Sequence, residues 1–179
     1  DRKLDDKLIE QVARLVMEEM KSTGAAPCEE NGACGSCGIF DSMDDAVQAS
    51  EAAQRKYLFS TMEDRQKYVD VIRRTVLEPE LLQKISRMAV EETGMGNYEH
   101  KLIKNRVAAE KSPGTEDLVT EAMTGDRGLT LVEYCPFGVI GAVTPATNPT
   151  ETIICNSIAM LAGGNTVVFT PHPRAKNVT

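Results

Sequence analysis

The chain has 179 residues, 41% of them apolar, and a formal net charge of −7. That length holds one domain and an appendage. The acidic balance excludes a general nucleic-acid binder, which needs clustered Lys and Arg, no apolar run approaches the ~20 residues of a membrane-spanning helix, and the N-terminus lacks the basic-then-apolar pattern of a secretory signal. Without a secretory route, the five cysteines are expected to be reduced thiols.

Residues 4–21 come first. Leu4, Leu8, Val12, Leu15 and Val16 recur at every third or fourth position, flanked by Ile9 and Met20, while Asp5, Lys7, Glu10, Arg14 and Glu18 fill the other face. This spacing predicts an amphipathic helix, closed by Gly24 and Pro27. Residues 22–38 are rich in Gly, Ala and Ser and read as a flexible linker. A helix ahead of a linker has no core of its own and is marginal in water unless it packs. It either lays its apolar face on a partner or folds back on the main domain or a neighbouring subunit, and periodicity leaves both open.

The linker carries Cys28, Cys34 and Cys37. Cys34-Gly-Ser-Cys37 has metal-knuckle spacing, but a closed zinc site needs four ligands and His100 lies far off in a helix. A redox Cys-x-x-Cys opens a helix after a strand, which this linker does not supply. No metal site is expected.

Helices follow from Asp44 to about Phe59, from Met62 or Glu63 to about Leu77, from Pro79 to about Thr93 and over Tyr98–Glu110. Ser42-Met-Asp-Asp45 resembles a capping start, Pro79 suits a first helical turn, and Gly94-Met-Gly96 stops the third helix. Pro113-Gly114 is a turn, residues 115–127 carry no clear signal, and Gly128–Tyr134 alternates as a strand. The stretch Tyr134–Thr150 then reads as a buried strand running into a polar turn. A helix follows, ending before Gly163-Gly164-Asn165, and a second strand covers Thr166–Thr170. Strand, helix and strand make the building block of a doubly wound nucleotide-binding sheet, which takes ligands at the carboxyl ends of its strands. One such unit cannot close a core, so the chain is expected to be the front end of something longer. Cys155, among Ile153, Ile154 and Ile158, and Cys135, at a strand end, are expected to be buried, inert thiols.

The turn at the first strand's carboxyl end concentrates the chemistry. Asn148 can donate its side-chain NH2 to a developing oxyanion. Thr144 and Thr147 offer hydroxyls to a phosphate or ribose, and the helix after Pro149 aims its positive end at the same place. Asn and Pro are also simply common in turns. After the second strand, Thr170-Pro171-His172-Pro173 stiffens the exit, and His172 can titrate or stack near neutrality. Arg174 and Lys176 read as solvated charges.

These residues carry a resemblance. Pro136-Phe-Gly-Val-Ile-Gly-Ala-Val-Thr-Pro145, Asn148-Pro149 and Ala162-Gly-Gly-Asn-Thr-Val-Val-Phe169 resemble the start of the cofactor domain of the aldehyde dehydrogenase superfamily. Glu92-Thr-Gly-Met-Gly96, Thr124-Gly-Asp-Arg-Gly-Leu-Thr-Leu131, Thr144-Pro-Ala-Thr-Asn-Pro149 and Pro171-His-Pro-Arg-Ala-Lys176 look like its CoA-acylating branch, in particular the acetaldehyde and propionaldehyde dehydrogenases of bacterial microcompartments. The resemblance covers residues 39–179.

It implies an α/β fold: the start of a doubly wound cofactor domain at 39–179, behind a helical layer and a separate targeting helix at 1–21, with the linker at 22–38. It implies conversion of a short-chain aldehyde, CoA and NAD to acyl-CoA and NADH. In that course a cysteine thiolate attacks the aldehyde, hydride passes to NAD, and CoA takes the acyl group. Asn148 is the candidate catalytic oxyanion donor. Thr144, Pro145, Thr147, Thr170, Pro171, His172 and Pro173 are the candidate cofactor-binding residues. The nucleophile of this branch lies downstream of these residues, so the 179 residues alone are expected to be inactive. Residues 4–21 would bind a shell protein, and the enzyme would be a homo-oligomer in a microcompartment lumen in the bacterial cytoplasm.

Two departures stand out. Hydrolytic members carry Pro-Trp-Asn-Phe-Pro, whose asparagine falls on Thr147 when counted without a gap, so the backbone must adjust for Asn148 to serve. They also follow the second strand with Lys-Pro-Ser-Glu, whose charges hold the cofactor's ribose. Thr170-Pro171-His172-Pro173 replaces it here, which implies a different grip on NAD and a crevice shared with CoA. Two other readings remain: the aldehyde domain of a bifunctional alcohol/aldehyde dehydrogenase, and a non-catalytic helix-docking module.

Overall fold

Capping residues set the helix boundaries along the first half of the fold. The computed structural model describes residues 38–179, so the amphipathic helix expected at 4–21 and nearly all of the linker lie outside the described residues. Helix α1 spans Met43–Tyr57 and α2 Met62–Leu77. Thr61 opens α2 with a capping box: its hydroxyl accepts from the Asp64 amide, and the Asp64 carboxylate accepts from the Thr61 amide. Helix α3 is Pro79–Thr93, with proline in its first turn and Gly94 at φ 66° closing it in the left-handed conformation that glycine adopts freely. Helix α4 is Tyr98–Lys111, where Asn97 caps the start by accepting from the His100 amide.

A short 3-10 turn, Thr115–Asp117, leads into two strands, β1 (Glu121–Gly125) and β2 (Gly128–Val132). They pair antiparallel, with Gly125 opposite Gly128 across a tight hairpin turn. Every residue of this hairpin is exposed. Strand β3 (Val139–Val143), helix α5 (Pro149–Ala162) and strand β4 (Thr166–Thr170) form the parallel unit, in register from Val139 opposite Thr166 to Val143 opposite Thr170. The strand–helix–strand unit read from the sequence is therefore present. Strand β2 stops short of Tyr134, and the unassigned stretch 115–127 contributes β1.

The core lies between α2, α4 and α5. Val69, Ala108, Ala109, Ile154, Ile158 and Ala162 are buried together, with Ile72, Val76, Leu77, Ile85, Leu118 and Cys155 against them. On α5 the buried positions Glu151, Ile154, Ile158 and Ala162 recur at helical spacing. Helix α1 buries no residue and attaches to β4 through polar groups instead. Ser50 donates to the Thr166 hydroxyl at 2.9 Å, while Gln54 accepts from the Thr166 amide at 2.7 Å and donates to Gly164 O at 2.9 Å. Gly164 has φ 81°, a left-handed conformation in which a side chain is strained, so the turn into β4 favours glycine.

Four expectations need correction. The expected burial of β3 holds only at Ala142, with Val143 84% exposed, and Cys155, also expected to be buried, is not fully so. Cys135 is exposed, because β3 begins only at Val139 and the stretch before it lies outside both sheets. Arg174 is not merely solvated: its guanidinium donates to Thr93 O at 3.1 Å. Cys155 is half-buried, with the Ser112 hydroxyl 3.0 Å from its sulfur.

Candidate active site

The carboxyl ends of β3 and β4 bring the predicted residues to one rim. Thr144 continues the ladder beyond β3, donating its amide to Thr170 O at 3.0 Å and its hydroxyl to the same oxygen at 3.3 Å. It is only 1% exposed, so its hydroxyl ties the two strand ends together. Pro145 and Thr147 are exposed on the rim, Thr170, Pro171 and His172 are half-buried, and Pro173 is exposed. His172 accepts from the Arg174 amide at Nδ1, 3.1 Å away. A ring nitrogen that accepts leaves the proton on Nε2, so His172 keeps a free donor.

Asn148 is the N-cap of α5 but does not cap it. A cap asparagine ordinarily turns its side-chain oxygen onto an amide of the first turn, as Asn97 does for His100 at 2.9 Å. Asn148 makes no such bond, and its backbone stands at φ −137° and ψ 61°, whereas Asn97 is extended at φ −133° and ψ 159°. Its Oδ1 instead accepts from Lys104 Nζ at 3.0 Å. Its NH2 has no partner among the described residues. Forgoing the cap costs α5 about 1 kcal/mol, a local departure of the kind that collects at functional positions.

Beneath this turn sits a charge pair that the sequence reading missed. Lys101 Nζ donates to Thr147 O at 2.8 Å and to Glu151 Oε1 at 3.1 Å. The two side chains are 3% and 11% exposed. Thr150 donates to the other Glu151 oxygen at 3.1 Å. Glu151 thus places its carboxylate in the first turn of α5, where the helix dipole favours it, and Lys101 neutralises it. The only advance signal was an acidic residue next to Pro149-Thr150.

The motif segments on either side of this rim also meet. Glu92 accepts from the Asn177 and Val178 amides at 2.8 and 2.7 Å. The end of α3 is thereby tied to the chain leaving β4. Among the described residues no cluster of His, Cys, Asp and Glu could hold a metal ion, and no helix is long and apolar enough to cross a membrane.

Comparison with known proteins places this architecture. The aldehyde dehydrogenase family matches residues 36–179. The chain belongs to that family. A CoA-propanoylating propanal dehydrogenase of Salmonella typhimurium strain LT2 is 45% identical over 96% of the chain and 36% of the relative. A Rhodopseudomonas palustris propionaldehyde dehydrogenase, solved with bound CoA and an acylated cysteine, is 67% identical. It superimposes with a TM-score of 0.76 over 79% of this chain and 32% of that one. A propionaldehyde dehydrogenase from a fucose-utilisation microcompartment of Clostridium phytofermentans is 57% identical, with a TM-score of 0.74 over 79% of this chain and 32% of that one. The chain spans about a third of the length of these relatives. The expected fold class stands: a helical layer followed by the first strand–helix–strand unit of an aldehyde dehydrogenase-type α/β sheet.

Proposed function

We propose that this chain forms the N-terminal part of a CoA-acylating aldehyde dehydrogenase that converts a short-chain aldehyde, CoA and NAD to acyl-CoA and NADH. The observation that carries the reading is Asn148, an N-cap residue that leaves α5 uncapped and keeps its NH2 uncommitted at the carboxyl end of β3. A carbonyl oxygen seated there gains negative charge as a nucleophile adds to its carbon. A preformed amide donor stabilises that charge more than it stabilises the neutral carbonyl. For Asn148, rather than Thr147, to serve, the backbone must differ locally from that of the hydrolytic members; the absence of a side-chain cap at Asn148 supports this reading.

The rim suits a phosphate-bearing cofactor. In a chain of net charge −7, its acidic groups are already engaged: Glu151 by Lys101 and Thr150, Glu92 by two backbone amides. Lys176, after β4, remains exposed. Pro145, Thr147, Thr170, Pro171, His172 and Pro173 would line the cofactor's path, while Thr144 holds the strand ends in place. When bound, NAD supplies the hydride acceptor and CoA the thiol that carries off the acyl group. The nucleophilic cysteine would come from the remainder of the enzyme, leaving the 179 residues without turnover of their own. Residues 1–21 would act as a targeting helix docked on a shell protein and residues 22–38 as its tether, with the homo-oligomeric enzyme in a microcompartment lumen in the bacterial cytoplasm. The 96% coverage against the Salmonella enzyme supports a shared N-terminal segment.

The test is NADH formation by the whole enzyme from propionaldehyde and acetaldehyde, with and without CoA. The proposal predicts formation that requires CoA and yields acyl-CoA. Release of free acid at the same rate without CoA would refute it.

A further inference from the structure

We propose that Lys104 is a positioning residue for Asn148, and that α4 delivers it together with Lys101 as a two-lysine clamp on the turn before α5. The inference rests on the reading of Asn148 as the oxyanion donor.

A carboxamide has two nearly isosteric orientations related by a half-turn. Only the one that presents NH2 to the substrate can stabilise an oxyanion; the other presents a repelling carbonyl. Something must choose between them. An ammonium is a donor with no acceptor, so it can bond only the oxygen of the amide. Lys104 Nζ lies 3.0 Å from Asn148 Oδ1. With the oxygen held there, the NH2 must point away from Lys104. A charge-assisted bond to the oxygen also draws electron density from the amide nitrogen and sharpens its N–H as a donor.

Asn97 serves as an internal control. Its Oδ1 accepts from the His100 amide at 2.9 Å, and its Nδ2 lies 3.1 Å from His100 Nδ1. Both ends of that amide are spent on its own helix. Asn148 has only its oxygen engaged, and by a cation from a different helix, 44 positions earlier in sequence.

Lys101 holds the other half of the turn. It sits three residues before Lys104 on the same face of α4, as residues at that spacing do. Its ammonium takes Thr147 O at 2.8 Å, the carbonyl of the peptide that leads into Asn148. Being buried against Glu151, it cannot swing away. One lysine therefore fixes the peptide and the next fixes the amide. Lys104 is exposed, so replacing it leaves the core intact and its effect can be read in turnover.

The experiment is a double-mutant cycle in the whole enzyme with Lys104→Met, Asn148→Ala and both together, plus Lys104→Arg. Lys104→Met is expected to lower kcat by about tenfold, the worth of one hydrogen bond to a charged group, with KM for NAD and the melting temperature unchanged. Lys104→Arg should recover most of the loss. In the Asn148→Ala background Lys104→Met should cost nothing further, because a residue that acts through Asn148 has nothing left to orient. Wild-type kcat in Lys104→Met, or full multiplication of the two losses in the double variant, would overturn the clamp while leaving Asn148 in its role. Wild-type kcat in Asn148→Ala would overturn both the clamp and the oxyanion reading.

Discussion

The two ends of the β3–β4 sheet are built from similar residues and do opposite things with them. At the amino end Asn165 spends its whole carboxamide. Its oxygen accepts from the Phe137 and Gly138 amides at 2.6 and 3.0 Å, and its NH2 donates to Met160 O at 3.3 Å. Gln54, Ser50 and Thr166 close the same end with further mutual bonds. At the carboxyl end Asn148 keeps its NH2 free, Thr147 keeps its hydroxyl exposed, and His172 keeps a ring donor. Two asparagines at opposite ends of one strand–helix–strand unit thus separate scaffold from chemistry. Polar groups satisfied inside the fold hold it together. Those left unsatisfied at a solvent-facing rim remain free to bind.

Breaking the support of the rim should have the largest effect on stability. Lys101→Met strands Glu151 as an unpaired charge in a nearly buried place, and removing one partner of such a pair costs about 3–5 kcal/mol. Urea unfolding should show the loss, and Lys101→Met combined with Glu151→Leu should recover much of it. An equal loss in the single and double variants would contradict a role for the pair. Next comes Asn165→Ala, which orphans two amides at the amino end and should cost about 1–3 kcal/mol, with kcat of the folded fraction preserved. A selective fall in kcat there would blur the contrast between the two ends.

The smallest effect lies away from both. Arg73 donates to Glu116 at 2.6 Å, and this bond, ahead of backbone bonds at Glu116 and Gly114, holds the Glu116 carboxyl below the ordinary carboxylate range. The bond favours the charged form, so its contribution is present above that range and is lost as pH falls through the lowered value. Glu116 is 49% exposed, and solvent screening keeps the contribution to about 0.5 kcal/mol. Glu116→Gln should lower stability slightly at neutral pH and flatten the acid side of a melting-temperature profile. An unchanged profile would show that the pair contributes nothing.

The sequence disclosed α5 and β4 almost residue for residue, because Pro149 and Gly163-Gly164 punctuate them strongly, whereas β3 was placed only within Tyr134–Thr150 and the burial expected of it is confined to Ala142. The helices were legible for the same reason: Pro79, Gly94 and Asn97 mark their ends. The hairpin was half-legible. Strand β2 alternates, but Glu121-Ala-Met-Thr-Gly125 has little β-branched or aromatic content, and with every residue exposed no burial pattern was there to read. Cys135 misled because a cysteine beside an apolar run resembles core. The lysines of α4 were invisible for a different reason. Their partners, Thr147, Asn148 and Glu151, lie 44 to 50 positions away, and a lysine on a helix looks the same whether it meets water or a turn. Sequence patterns report local periodicity; they do not report which distant backbone a long side chain reaches.

The most direct test of the account is kcat of Asn148→Ala in the whole enzyme, measured beside its melting temperature. The account predicts a fall in kcat of about 100- to 1000-fold, as for loss of one oxyanion donor, with the melting temperature unchanged because the side chain caps nothing. A variant that melts several degrees lower yet turns over at the wild-type rate would make Asn148 a structural residue like Asn165 and contradict the division between the two ends.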